Sequence, residues 1–280
     1  NDKLSIVEKS IVRLLITFRV SQPIIIPPFS AKVSKIILNR ISKTYAKMSQ
    51  YNQLFKPLAV SPIYYGNRTL IKFYNDSTVL HLLPDRVYSF TYSMILGENP
   101  PLDEIISLEN SEVNDVFGAR VILEQVQIDV RKFSSLGFKK PRGVRLEFTS
   151  PVLLQLPSYR RFKRGRYVLF PIPSLIIGSL IDHWNANCDI NMLIKRPAFL
   201  ALYSNYLMME SAYNLKPVTI IYDESRKIRG FMGWVFYDLR KCRNNISFKR
   251  IMALLDYAQY VGVGKSRATG FGQVKVSCVY

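Results

Sequence analysis

Four of the chain's glycines, Gly262, Gly264, Gly270 and Gly272, fall within eleven residues, with Lys265, Ser266, Arg267 and Thr269 between them. Glycines this dense mark a backbone that takes φ > 0 or passes close to other atoms, so the run constrains what lies on either side of it. Ile251–Tyr260 before it has helical spacing, and Gln273–Val279 after it reads as a strand. The run is therefore a helix-to-strand loop. Its N–H groups would form an anion-binding nest, and its hydroxyls and cations suit phosphate oxygens. The plainer reading is a glycine-rich turn. Gly264-Lys265-Ser266 matches the end of a nucleotide P-loop, but Gln259 stands where that motif needs its first glycine. A P-loop also runs from strand to helix, so a nucleoside triphosphate site is not expected.

The 280 residues carry a formal net charge of +19. Such a field favours a polyanion, either nucleic acid or an anionic membrane. The charge is segregated. No acid occurs between Glu8 and Asp76, and Arg131–Arg166 holds eleven Lys/Arg against the single acid Glu147. Glu98–Asp129 has eight acids and only Arg120. This distribution predicts a basic surface with an acidic back. With 48% hydrophobic residues the chain folds, and its length suits two cores. The cysteines Cys188, Cys242 and Cys278 match no zinc spacing, and no carboxylate cluster suggests a metal. No cofactor is expected, and the setting reads as reduced and cytoplasmic. Tyr167–Ile181 is apolar but broken by Pro171 and Pro173, too short for a membrane span. No signal peptide is visible, although the chain starts at Asn1 without Met.

Ile11–Val20 reads as a strand, and Ser21–Phe29, with three prolines, as a connector. Ser30 is placed to cap a helix to about Lys47, with Val33, Ile36, Ile37 and Ile41 on one stripe and Lys32, Lys35, Asn39 and Lys43 on another. Leu58–Tyr65, Leu70–Tyr74 and Val87–Leu96 follow as strands, then an acidic helix from Pro100-Pro101 to about Leu108, then a strand over Val121–Val130. This order is a ferredoxin-like unit. The second half repeats it. Val144–Phe148 with Val152–Leu156 is a strand, and Pro173–Asn187 a helix. Val218–Tyr222 and Gly230–Asp238 are strands around the charged hairpin Asp223–Arg229, and Ser247 is placed to cap the last helix. The fold class is α+β, with tandem βαββαβ domains at 1–131 and 142–280 joined by a linker over 132–141.

A basic glycine-rich loop between a helix and the last strand of tandem ferredoxin-like domains resembles the RAMP superfamily of CRISPR-associated RNA-binding proteins. Arg145-Leu-Glu-Phe-Thr-Ser-Pro and Gly230-Phe-Met-Gly-Trp234 are similar to one branch of it. That branch is the sixth Cas family, the endoribonucleases that mature CRISPR RNA. The resemblance implies a metal-independent cut of repeat RNA, in which a ribose 2′-OH attacks the adjacent phosphate to leave a 2′,3′-cyclic phosphate and a 5′-OH. CRISPR repeat RNA is the implied partner, and the resemblance leaves room for effector-complex subunits and for a homodimer. Sister RAMP proteins bind guide RNA without cutting it, which is the alternative function. A general polyanion or anionic-membrane binder is the reading from composition alone.

The cut needs a base, an acid and positive charge on the phosphorane. Many members place a histidine near the first helix; here the histidines are His81 and His183. His81 lies far from that helix in sequence, and His183, late in Pro173–Asn187, reads as structural. Some members without the histidine use lysines, and Lys32, Lys35 and Lys56 resemble that arrangement as the catalytic set. One ammonium among others titrates closer to neutrality while its neighbours hold charge. Ser30 and Tyr51 are accessories, and a solvated helix face is the plain alternative. For RNA grip the expectation is Arg229, the glycine loop (Gly262, Gly264, Lys265, Ser266, Arg267, Gly270, Gly272) and the cluster Arg160, Arg161, Lys163 and Arg164. Tyr159, Phe162 and Tyr167 flank that cluster as base-stacking rings.

Overall fold

The computed structural model of the chain describes residues 8–97, 99–157, 166–240 and 245–280. Two antiparallel sheets carry it. The first half contributes β1 (Ser10–Val20), α1 (Ala31–Ile41), α2 (Lys43–Ser49), β2 (Leu58–Val60), β3 (Tyr88–Leu96), α3 (Leu102–Ile106), β4 (Glu112–Val116) and β5 (Ala119–Lys132). The second contributes β6 (Gly143–Val152), α4 (Pro173–Asn187), α5 (Pro197–Leu207), β7 (Met209–Ile221), β8 (Lys227–Asp238), α6 (Ile246–Val261) and β9 (Val274–Val279). In the first sheet β1 lies between β3 and β5, with β2 on the far side of β3. The second runs β7-β8-β6-β9. Numbered by the four strands each half shares, both read 2-3-1-4 with a helix crossing after the first and third strands, which is the ferredoxin-like order twice over.

β1 shows why the first sheet closes on one side. Val12, Leu14, Ile16, Phe18 and Val20 are buried, and the residues between them are half exposed, the period-two pattern of a strand with one face on a core. Across the ladder Phe18 pairs with Tyr88, and the rings meet at 5.8 Å. Each sheet has its own apolar cluster, and a third, small cluster joins the halves: Phe29, Ala31, Ile71, Leu153, Ile220 and Phe271. At this junction α1 begins.

Several expectations are corrected. The helix from Ser30 to Lys47 is two helices, because Ser42 turns extended (φ −117, ψ 109) and its Oγ accepts from the Tyr45 amide to cap α2. Ser42 and Thr44 hydroxyls also donate to Glu104, tying the break to α3. Lys43 therefore leaves the lysine stripe of α1. Ser30 precedes α1 but does not cap it; its Oγ accepts from the Ile63 amide instead. Leu58–Tyr65 is interrupted after Val60, and Leu70–Tyr74 makes only isolated bridges. The cap of α6 is Asn245, whose Oδ1 accepts from the Phe248 amide, not Ser247. β4 and α5 were not anticipated, nor was the length of β7, an edge strand exposed over much of its length. The segment after β5 is docked: Phe133 is 1% exposed, against Trp184 and Tyr257, and the Gly137 amide donates to Asp256. Among the described residues no helix is long and apolar enough to cross a membrane.

Candidate active site at the junction of the two halves

The structure brings Lys32, Lys35 and Lys56 together. Lys32 and Lys35 stand one turn apart on α1, both half-buried, while Val33, Ile37 and Leu38 point into the core. Lys56 lies in the connector between α2 and β2, and its Nζ donates to the Ser49 carbonyl. Burial, then the ammonium groups of Lys56 and Lys32, lower the pKa of Lys35 from its ordinary value. Lys32 Nζ sits 4.6 Å from the centre of the Tyr222 ring, so its charge is oriented by the second half of the chain. Of the accessories, Ser30 is fully buried and Tyr51 packs, partly buried, on the first-half core.

The connector carrying Lys56 is held from across the junction. His183 Nε2 donates to the Lys56 carbonyl (3.0 Å), Asn187 Nδ2 to the Phe55 carbonyl (3.3 Å), and Gln273 Nε2 to the Val60 carbonyl (3.3 Å). The Tyr257 hydroxyl donates to His183 Nδ1 at 2.8 Å. Burial is the first cause holding the His183 pKa well below its ordinary value, with Arg267 second. His183, read from its sequence position as structural, is buried with both ring nitrogens hydrogen-bonded, and its reach to Lys56 was not foreseen. His81 is exposed in a two-residue ladder with Ile24–Ile25.

The glycine run corrects the nest reading. Its amides point inward: Val263 N–H donates to the Gly272 carbonyl, Gly264 N–H to Ser179 Oγ, Lys265 N–H to the Leu153 carbonyl, and Gly272 N–H to the Pro151 carbonyl. Gly272 has φ +72, and a Cβ there would lie 1.9 Å from the Val263 carbonyl oxygen. The glycines thus let the loop pack against α4, β6 and α1 rather than cradle an anion. Phe271 in the loop stacks on Phe29 at 4.7 Å. Arg267, expected at the phosphate, is 5% exposed and donates from Nη2 to the Ser179 carbonyl (2.8 Å). Burial pushes its pKa down to about 10, opposed by Tyr257 and Asp182, so it stays cationic inside the fold. Lys265 and Ser266 are exposed.

Arg229 is exposed between two open grooves. One, of about 370 Å³, is lined by Tyr167, Arg226, Lys227 and Ser266 among others; the second, of about 380 Å³, has Phe73, Tyr74 and Asn75 on its wall. Arg226 lies 4.9 Å over Tyr222 and Lys227 3.8 Å over Tyr74. A band of cations interleaved with rings therefore leads from the lysine cluster to the tip of the β7–β8 hairpin, the combination that holds a phosphate backbone and its bases. Sequence reading had marked Asp223–Arg229 as a charged hairpin with Arg229 for RNA grip and missed Tyr222, whose placement depends on packing. Arg160, Arg161, Lys163 and Arg164, with Tyr159 and Phe162, lie outside the described residues.

Comparison with known proteins agrees with this architecture. A family model described as the Cas6 N-terminal domain matches residues 12–131, and one described as CRISPR-associated endoribonuclease Cas6 matches residues 146–274. The CRISPR-associated endoribonuclease Cas6 1 of Saccharolobus solfataricus is 25% identical over 278 residues, covering 92% of this chain and 93% of that protein. Among solved structures, a Cas6 product complex superposes with a TM-score of 0.68 at 16% identity, covering 95% of this chain and all of the other. The Thermus thermophilus Cas6 gives 0.65 at 15% identity over 96% of this chain and 99% of its own. The two segments similar to that family in sequence meet in the second sheet, where Glu147 pairs with Trp234 and Arg145 stacks on the Trp234 ring at 4.2 Å. With both halves matched in order and both sheets superposing on known members, the chain belongs to the Cas6 family of CRISPR-associated endoribonucleases.

Proposed function

We propose that the chain cuts CRISPR repeat RNA without a metal ion, by attack of a ribose 2′-OH on the adjacent phosphate. The P–O5′ bond breaks as the 2′-O–P bond forms, leaving a 2′,3′-cyclic phosphate and a 5′-OH. The observation that carries this reading is the junction of Lys32, Lys35 and Lys56, where Lys35 is driven toward its neutral form by burial and by the other two. Neutral Lys35 takes the 2′-OH proton, Lys32 and Lys56 hold positive charge against the developing phosphorane, and the leaving 5′ oxygen takes up a proton from solvent water. The absence of the family's usual histidine from α1 is met by these lysines. Related Cas6 structures include a product complex and a substrate-mimic complex, which supports a nucleic-acid substrate for this chain as well.

The test is incubation of the pure protein with end-labelled repeat RNA in excess EDTA, with the product ends identified chemically. Cleavage at one position with a cyclic phosphate upholds the proposal. Tight binding of uncut RNA would instead make this a binding-only member.

The grip falls to Arg229, Lys265 and Ser266 on the surface rather than to Arg267. Arg229→Ala is expected to weaken RNA binding and to flatten the salt dependence by about 0.7 in log K per log salt, one phosphate on a single strand. Titrations of a cleavage-blocked RNA at several salt concentrations measure both. An unchanged slope would remove Arg229 from the phosphate path.

A further inference from the structure

Residues Gln50 to Leu54, just before Lys56, are mostly exposed, and Leu54 is 88% exposed. No strand or helix covers 50–57; from the first half, the Ile95 N–H donates to the Pro57 carbonyl at 2.9 Å and Lys56 Nζ to the Ser49 carbonyl. The Lys56 and Phe55 carbonyls themselves are held from two positions on α4, four residues apart and facing the same way. His183 and Asn187 each donate to a carbonyl, those of Lys56 and Phe55, and the second hydrogen of Asn187 Nδ2 goes to the His183 carbonyl at 2.8 Å. The carbonyl at Lys56 only accepts, so the proton of the neutral imidazole is on Nε2, and Nδ1 accepts from the Tyr257 hydroxyl.

We infer that His183, oriented by Tyr257 and assisted by Asn187, is a positioning residue that sets the reach of Lys56 into the cleavage site from the opposite half of the molecule. This rests on the lysine reading above. The coupling makes active-site assembly depend on the packing of the two halves, because the lysines belong to the first half and the clamp to the second. Misplacing a reacting group by about 1 Å can cost on the order of 10²-fold in rate. Binding need change little, since Lys56 is one phosphate contact among many.

Two substitutions separate positioning from plain packing. His183→Gln keeps an N–H where Nε2 stood, whereas the shorter amide of His183→Asn meets Tyr257 but does not reach the Lys56 carbonyl. Single-turnover cleavage at saturating enzyme is compared with affinity for RNA carrying a 2′-deoxy block, alongside Lys56→Ala and the Lys56→Ala/His183→Asn pair. The expectation is that His183→Asn cleaves roughly 10–100-fold more slowly with near-parental affinity. His183→Gln should recover most of the rate, and the double variant should be no slower than Lys56→Ala alone. If His183→Asn does not fold, Tyr257→Phe carries the same comparison, since it removes the hydroxyl that holds Nδ1 and lets the ring turn off the Lys56 carbonyl. Parental cleavage by His183→Asn, or by Tyr257→Phe in its place, overturns the inference while leaving the lysines in place. Losses that simply add in the double variant overturn it as well. Parental cleavage by Lys56→Ala sinks the lysine reading itself, and this inference with it.

Discussion

Lys35→Ala should slow single-turnover cleavage by about 10²–10⁴-fold while RNA binding weakens only modestly. The asymmetry follows from the roles. A base acts only as the 2′-OH proton leaves, and charge on the phosphorane exceeds that on the bound phosphate, so the loss appears in the rate. Lys35→Arg should not restore it, because a guanidinium does not release its proton near neutral pH. Lys32→Ala and Lys56→Ala should also slow cleavage, and there arginine has a better chance, since charge is what they supply. The pH profile adds a sign. Lys56 is one cause of the lowered Lys35 pKa, so its removal lets that pKa rise. Less Lys35 is then free base at neutral pH, and the ascending limb of the rate moves to higher pH. The same shift bears on stability. The charged form of Lys35 is disfavoured in the fold, a penalty fully present below its folded pKa, fading as pH rises and gone above the ordinary value of 10.5. Lys35→Met should therefore abolish cleavage without lowering the melting temperature. A variant that loses both together would mark Lys35 as a packing residue, and parental cleavage by all three alanine variants would return α1 to a solvated face.

Much of this was legible before any coordinates, for physical reasons that differ by element. β1, β3 and α4 announce themselves because each buries a regular set of apolar positions, and Pro173 starts α4 where its missing N–H costs nothing. β7 did not, because an edge strand whose Met209–Lys216 portion is largely polar and exposed has no buried period to read. The break at Ser42 was invisible because the residue that stabilises it, Glu104, is sixty-two positions away. In the site, the spacing of Lys32 and Lys35 was legible from α1 alone, while the approach of Lys56 rested on family resemblance. The direction of Arg267 was misread for an instructive reason. A cation in a glycine-rich loop looks like a phosphate ligand in sequence, yet here its guanidinium is turned onto Ser179, and only the packing of α4 beneath the loop decides that.

The glycine run packs against the first turn of α1, and Gly270 is where the effect of that contact can be measured. It lies buried at φ +101, and a Cβ built there would stand 2.3 Å from Ala31 Cβ and 3.0 Å from the Phe29 ring. Ala31 is the first residue of α1, immediately before Lys32. Gly270→Ala should cost roughly 1–3 kcal/mol for backbone held in a region that L residues avoid. Overpacking at a junction with no room to yield should add a comparable ~1–3 kcal/mol. Together these should lower the melting temperature by on the order of 10 °C for a chain of this size. The folded fraction should also cleave more slowly, because the side chain must displace the first turn of α1, and with it Lys32. Ala31→Gly removes the atom that is struck. The double variant Gly270→Ala/Ala31→Gly should regain the overpacking part and not the backbone part, a coupling of roughly 1–3 kcal/mol that a cycle of the four proteins measures directly. Thermal melts and single-turnover cleavage on the same four proteins decide the matter. A Gly270→Ala variant as stable and as active as the parent would mean that the loop does not bear on α1. Strict additivity with Ala31→Gly would place the strain in the loop alone and leave the lysines positioned by the first half and the α4 clamp.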